Sequence, residues 1–122
     1  MAGELRGALS TQLTNGNVTD GNLNNNFSIT QNTALLDVLV TTVTTSEADI
    51  TFPTVTTLGW MRIRNTDATN FVKYGPKSGG AMVVFGKLKA GEEAWMRLMT
   101  GITLRMIADT ASCKVQIRIF ND

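Results

Sequence analysis

A chain of 122 residues with 11 Lys and Arg against 10 Asp and Glu, no histidine and one cysteine has the size of one domain and no bulk charge to recruit a polyanion. The missing histidine removes the usual general base near neutral pH and the commonest metal ligand, which excludes Ser-His and Cys-His triads and most zinc, copper and iron sites. A lone cysteine closes no intrachain disulfide, residues 1–6 lack the apolar stretch of a signal peptide, and no segment approaches the ~18 apolar residues of a membrane span.

Residues 4–13 alternate Leu5, Gly7, Leu9, Thr11 and Leu13 against Glu4, Arg6, Ala8, Ser10 and Gln12, the period of two that marks a half-buried strand. The stretch 14–26, with Asn15-Gly16 and Asp20-Gly21 among many asparagines, reads as a long loop: a mobile connection, or an arm that orders against a neighbouring subunit. Within it Asp20, Asn22 and Asn24 alternate as calcium ligands would, but no acidic residue closes the loop, so no metal is expected there. Residues 27–30 begin a second β region, which 34–43 continue. There Leu36, Val38 and Val40 point one way and Leu35, Leu39 and Val43 the other, so this strand should be covered on both faces, by a loop or a subunit contact. The many threonines between 41 and 57 favour extended backbone through β-branching, and no helix longer than a turn is expected.

Ala48, Ile50 and Phe52 alternate with Glu47, Asp49 and Thr51 until Pro53 ends the strand. Over 59–65, Met61 and Ile63 face inward and Trp60, Arg62 and Arg64 outward. A turn at 65–70 leads into a strand at 71–74, and the glycine-rich 75–80 reads as a flexible loop before a strand at 81–85. After a tight turn at 89–92, residues 93–98 place Ala94, Met96 and Leu98 inward with Trp95 and Arg97 outward, and 103–108 place Leu104 and Met106 inward. The last strand alternates Cys113, Val115, Ile117 and Ile119 against Lys114, Gln116 and Arg118, making Cys113 a small buried hydrophobe rather than a nucleophile. Segments 61–74 and 104–117 read as two analogous hairpins. The count gives about eight to ten strands, hence an all-β sandwich of jelly-roll or Greek-key type, one domain over 1–122 with residues up to about 26 as a candidate anchoring arm.

Carboxylate chemistry is what remains for an enzyme, yet Asp67, Asp109, Glu92 and Glu93 all fall in turns, where such side chains commonly bond their own backbone. The glycine loop at 75–80 precedes no helix and is no phosphate cradle. A non-enzymatic protein without cofactor is therefore expected. Trp60, Trp95, Arg62, Arg64 and Arg97 are the informative outward set, since tryptophan and arginine are enriched where one protein surface covers another. The same residues could instead pack under a loop and pair with acids on adjacent strands, or offer their rings to a sugar. Together with Leu5, Leu9 and Leu13 of the first strand they form the candidate oligomer or partner interface.

The order Arg62-Ile63-Arg64-Asn65-Thr66-Asp67-Ala68-Thr69-Asn70-Phe71-Val72, then Lys87-Leu88-Lys89-Ala90-Gly91-Glu92, then Ala108-Asp109-Thr110-Ala111 before the closing strand, resembles small virion proteins of tailed bacteriophages over roughly residues 59–121. The resemblance implies a β-sandwich on the outer capsid surface that cements contacts of the major capsid protein, commonly as a homotrimer; the charge balance and the lack of a long apolar segment leave neither nucleic acid nor membrane as an expected partner. Some relatives belong to tails or fibres, so a module that holds host-surface glycans is the alternative.

Overall fold

The computed structural model describes residues 3–15, 18–31 and 35–122, and within the first 34 residues it describes side chains only at 5–10 and 26–29. The chain divides into two compact units, Met1–Ala34 and Leu35–Asp122.

The first unit is a long antiparallel hairpin of β1 (Gly3–Asn15) and β2 (Val18–Gln31). Most of the stretch expected to be a loop, 14–26, is therefore strand. The asparagines do not prevent it, because β-propensity is set by the partner strand and Asn24 and Asn25 lie opposite Ser10 and Leu9 in a ladder whose register shifts once, between Thr11 and Leu13. Gly7 lies opposite Phe27, whose ring covers it so closely that a Cβ at position 7 would stand 2.2 Å from the ring. An aromatic side chain over a cross-strand glycine supplies the packing that the glycine lacks. The side chains of Asp20, Asn22 and Asn24, weighed as calcium ligands, and that of Leu13 lie outside the described residues.

The second unit comprises β3 (Leu36–Val43), β4 (Ala48–Asp49), β5 (Leu58–Asn65), β6 (Val72–Ser78), β7 (Ala81–Met82), β8 (Gly86–Leu88), β9 (Glu93–Arg97), β10 (Leu104–Ala108) and β11 (Cys113–Asn121). One sheet runs in the order β3-β11-β5-β9 and the other β4-β10-β6, with β7 and β8 both on the free side of β6. Val83 N–H donates to Pro76 O and Phe85 N–H to Tyr74 O, so β7 and β8 form one edge strand interrupted by a bulge. Apart from the β6-β7-β8 turns, every connection passes from one sheet to the other, which is jelly-roll topology.

The alternation expected of the inner faces holds. Met61, Ile63, Val115, Ile117, Ile119 and Cys113 from one sheet meet Val72, Tyr74, Leu88, Leu104, Met106 and Ala108 from the other, all buried. Full burial of each large aliphatic side chain contributes on the order of 2 kcal/mol. Ile50, Phe52, Val55, Leu58 and Ile102 add to this core from loops and strand ends.

Several local expectations are corrected. Segments 61–74 and 104–117 are not hairpins: β5 pairs with β11 and β9, while β6 pairs with β10 and β8, so each segment is an arch that carries the chain across the core. A hairpin and an arch share one alternation, since in both the apolar faces turn inward. The strand expected at 47–52 shrinks to Ala48–Asp49, with Ala48 exposed. β6 runs on through Gly75 and Pro76, and only Gly79 and Gly80 turn, at φ of 61° and 96°. Within the single chain the strand over 34–43 has one covered face, so no described loop supplies the second cover expected, and a subunit contact is the remaining one. Leu39 and Val43 contribute to the core, whereas Leu36, Val38 and Val40 are 41%, 56% and 65% exposed on the outer face of an edge strand.

Candidate functional site: the outer face of the sheet β3-β11-β5-β9

Burial of Met61, Ile63 and Asn65 forces Trp60, Arg62 and Arg64 to the opposite side of β5, and the same alternation turns Trp95 and Arg97 outward on β9. Antiparallel register then sets them in rows: Trp60 opposite Arg97, Arg62 opposite Trp95, Arg64 opposite Glu93. The Arg62 guanidinium lies 5.4 Å from the Trp95 ring centre and donates through Nε to Glu93 Oε2 at 2.6 Å. Arg97 lies 5.9 Å from the Trp60 ring centre and pairs with Asp122. Half-exposed stacks of this kind contribute about 0.5–1 kcal/mol each. The structure thus brings Trp60, Arg62, Arg64, Trp95 and Arg97 onto one surface. Leu5, Leu9 and Leu13 belong to the other unit, on β1, where Leu13 lies opposite Asp20 and its side chain is outside the described residues.

Sequence reasoning missed the neighbours on β11 and β3. Arg118 stands directly opposite Arg62, Gln116 opposite Arg64, and beyond them Val38 and Val40 continue the same two rows. The outward alternation of Lys114, Gln116 and Arg118 was legible, but nothing in the sequence assigned β11 to the centre of this sheet.

The three segments that carry the family resemblance also meet. Asn65, fully buried, donates from Nδ2 to Asn70 O at 2.8 Å and Leu88 O at 3.1 Å, while its Oδ1 accepts from Asp67 N–H at 3.0 Å. Its backbone receives Gly91 N–H and donates to Glu92 O, both at 2.9 Å, so the 62–72 and 87–92 segments are clasped together. Asp109 N–H donates to Phe71 O at 3.1 Å and ties in the third segment. Asp67 Oδ2 accepts from Asn70 N–H at 2.6 Å and Thr69 N–H at 2.9 Å, and these bonds hold its carboxyl below the usual range.

The carboxylates weighed for acid-base chemistry have other partners. Glu92 accepts from Lys89 N–H at 2.7 Å, Glu93 pairs with Arg62, and Asp109 accepts from the Thr110 hydroxyl at 2.9 Å. Cys113 is 1% exposed and burial pushes its thiol pKa up, away from the thiolate. Among the described residues, no group of three Cys, Asp or Glu side chains is placed to hold a metal ion.

At the other edge of this sheet an apolar cleft of about 230 Å³ opens between the sheets, lined by Tyr74, Phe85, Met96, Leu98, Met99 and Leu104. Phe85 and Met99 at its rim are about three-quarters exposed.

Fold and surface together define a jelly-roll β module whose outward face joins aromatic, cationic and apolar side chains. Comparison with known protein families, with curated proteins and with solved structures finds no match to this chain.

Proposed function

We propose that this chain is a non-enzymatic structural protein of a tailed bacteriophage, bound to the outer surface of the capsid, where it reinforces contacts between subunits of the major capsid protein. The observation that carries this reading is the clasp at Asn65. The three short segments that resemble phage virion proteins lie far apart in sequence, yet they join in one hydrogen-bonded corner of the jelly roll. Three short resemblances that fold into one corner support this reading better than three scattered ones would. The surface chemistry agrees with adhesion: Trp60, Arg62, Arg64, Trp95 and Arg97 share one face, and tryptophan and arginine dominate the energetics of protein contacts.

As a homotrimer bridging neighbouring capsomers, the protein would hold by several weak contacts at once, and their multivalency would resist the stress of packed DNA. The hairpin of residues 3–31 and the tryptophan-arginine face are the surfaces this reading assigns to protomer and capsid contacts. The alternative, a tail or fibre module that stacks glycans on Trp60 and Trp95, has less support, since Arg62 and Arg97 already lie over those rings. Cryo-microscopy of the purified virion tests the proposal: jelly-roll density at local threefold positions of the shell is expected, and density confined to the tail would overturn it. Light scattering of the isolated protein should give a trimer's mass.

A further inference from the structure

We infer that the outer face of β3-β11-β5-β9 is a docking surface for an acidic protein segment that interleaves carboxylates with apolar side chains. This goes beyond the reading above, because it names the chemistry of the partner and rests on register and charge alone, whatever particle the protein belongs to.

Two adjacent rows of the sheet carry the inference. One reads Val38, Arg118, Arg62, Trp95 and the other Val40, Gln116, Arg64, Glu93. Arg118 and Arg62 are direct cross-strand neighbours, with Arg64 one position along the same face. Glu93 is the single carboxylate in these rows, and its bond goes to Arg62. Among the described residues no ion pair reaches Arg64, Arg118 or Lys114. Like charges set opposite each other on adjacent strands weaken a sheet, and here Glu93 offsets Arg62 alone, so Arg64 and Arg118 remain to be met by carboxylates of a partner. In a chain whose net charge is only +1, such a concentration is local and one-sided.

The apolar part of the partner follows from β3. Val38 and Val40, 56% and 65% exposed, lie beside Arg118 and Gln116, and Val38 shares a shallow cleft with Arg62, Arg64, Gln116 and Arg118. A segment laid along the strands would therefore meet guanidinium groups and valines side by side. A second copy presenting this same face would set arginines against arginines. A nucleic acid would need cations along the whole track, whereas here valine and tryptophan occupy the flanking columns. An acidic, partly apolar protein segment satisfies both columns.

The test is amide NMR of the full chain titrated with a ten-residue peptide of alternating Glu and Val, with the Lys-Val peptide and a single-stranded oligonucleotide as comparisons. Shifts are expected at residues 38, 40, 62, 64, 116 and 118, with binding weakened several-fold as salt rises through the screening range. Arg64→Glu with Arg118→Glu should weaken peptide binding at least roughly tenfold, since both leave the partner's carboxylates facing like charge. Arg118→Glu alone should raise Tm by about 2 °C, because it sets a carboxylate beside Arg62, which separates lost binding from lost folding. Equal binding of the Lys-Val peptide, tighter binding of the oligonucleotide, shifts elsewhere on the protein, or a fall in Tm for Arg118→Glu would each overturn the inference.

Discussion

Asn65 shows how one buried polar side chain organises a corner. Its side chain makes three hydrogen bonds without exposed surface, and its partners lie in the 65–70 turn (Asp67 and Asn70) and at the end of β8 (Leu88). Replacing it by alanine removes the partner of two carbonyls and an amide, of which the Leu88 carbonyl is buried from water. Asn65→Ala should therefore lower stability by about 3 kcal/mol in urea unfolding, near the upper end for a single lost polar group. A loss below about 1 kcal/mol would mean that the corner relaxes and the clasp is dispensable. Asp37 plays a comparable part at the start of β3. Its carboxylate is 5% exposed and accepts from Val55 N–H at 2.7 Å and Thr54 N–H at 2.9 Å, drawing the 53–57 loop over the core. The sequence offered no sign of this, because an aspartate between apolar neighbours on an alternating strand looks like an ordinary odd-face residue.

At the level of elements, the bulged edge strand depends on Gly75. A Cβ at that position would stand 1.9 Å from the carbonyl oxygen of Val83, a backbone atom that cannot rotate away. Gly75→Ala should cost about 2–3 kcal/mol and disturb the amide resonances of residues 83–85, as overpacking against fixed backbone does. Unchanged stability would show that the bulge tolerates a shift of the β7-β8 edge. The strands themselves were largely legible: β5, β9, β10 and β11 lie where alternation put them, with the expected residues inside. What was not legible was the part of β2 before residue 27, whose asparagines signal turns in isolation and become strand only because β1 is there to pair with. Equally hidden was the status of β3. Its apolar residues on both faces read as double burial, by a loop or a subunit contact; within one chain only the inner face meets the core, and Leu36, Val38 and Val40 stay exposed at the edge of the sheet.

For the whole molecule, acid should weaken the fold in a defined direction. Burial of Asp37 pushes its carboxyl up, but the amides of Val55 and Thr54 outweigh this and hold it below the usual value. The Arg105 hydrogen bond lowers Asp49, and the amides of Asn70 and Thr69 lower Asp67. Each group is thus more acidic folded than unfolded, so its contribution is fully present above the unfolded carboxyl pKa of about 3.9 and is lost as pH falls through the lower folded values. Thermal unfolding should show a flat Tm between roughly pH 5 and 7 and a steep fall below about pH 4. A Tm that rises on acidification to pH 3 would contradict the sign for all three.

For β5, β9, β10 and β11 the identity of the inner and outer face was settled by sequence alone. The two-residue period is a local property of extended backbone, and water selects which face is buried from the side chains themselves. The order of strands within the sheets, and with it the meeting of Arg118 with Arg62 and of Asn65 with Leu88, came only from the tertiary structure. Strand pairing is made by backbone N–H and C=O groups that every residue but proline carries alike. Which two strands share a ladder is therefore decided by how all the layers close around one core, and no local pattern records that choice.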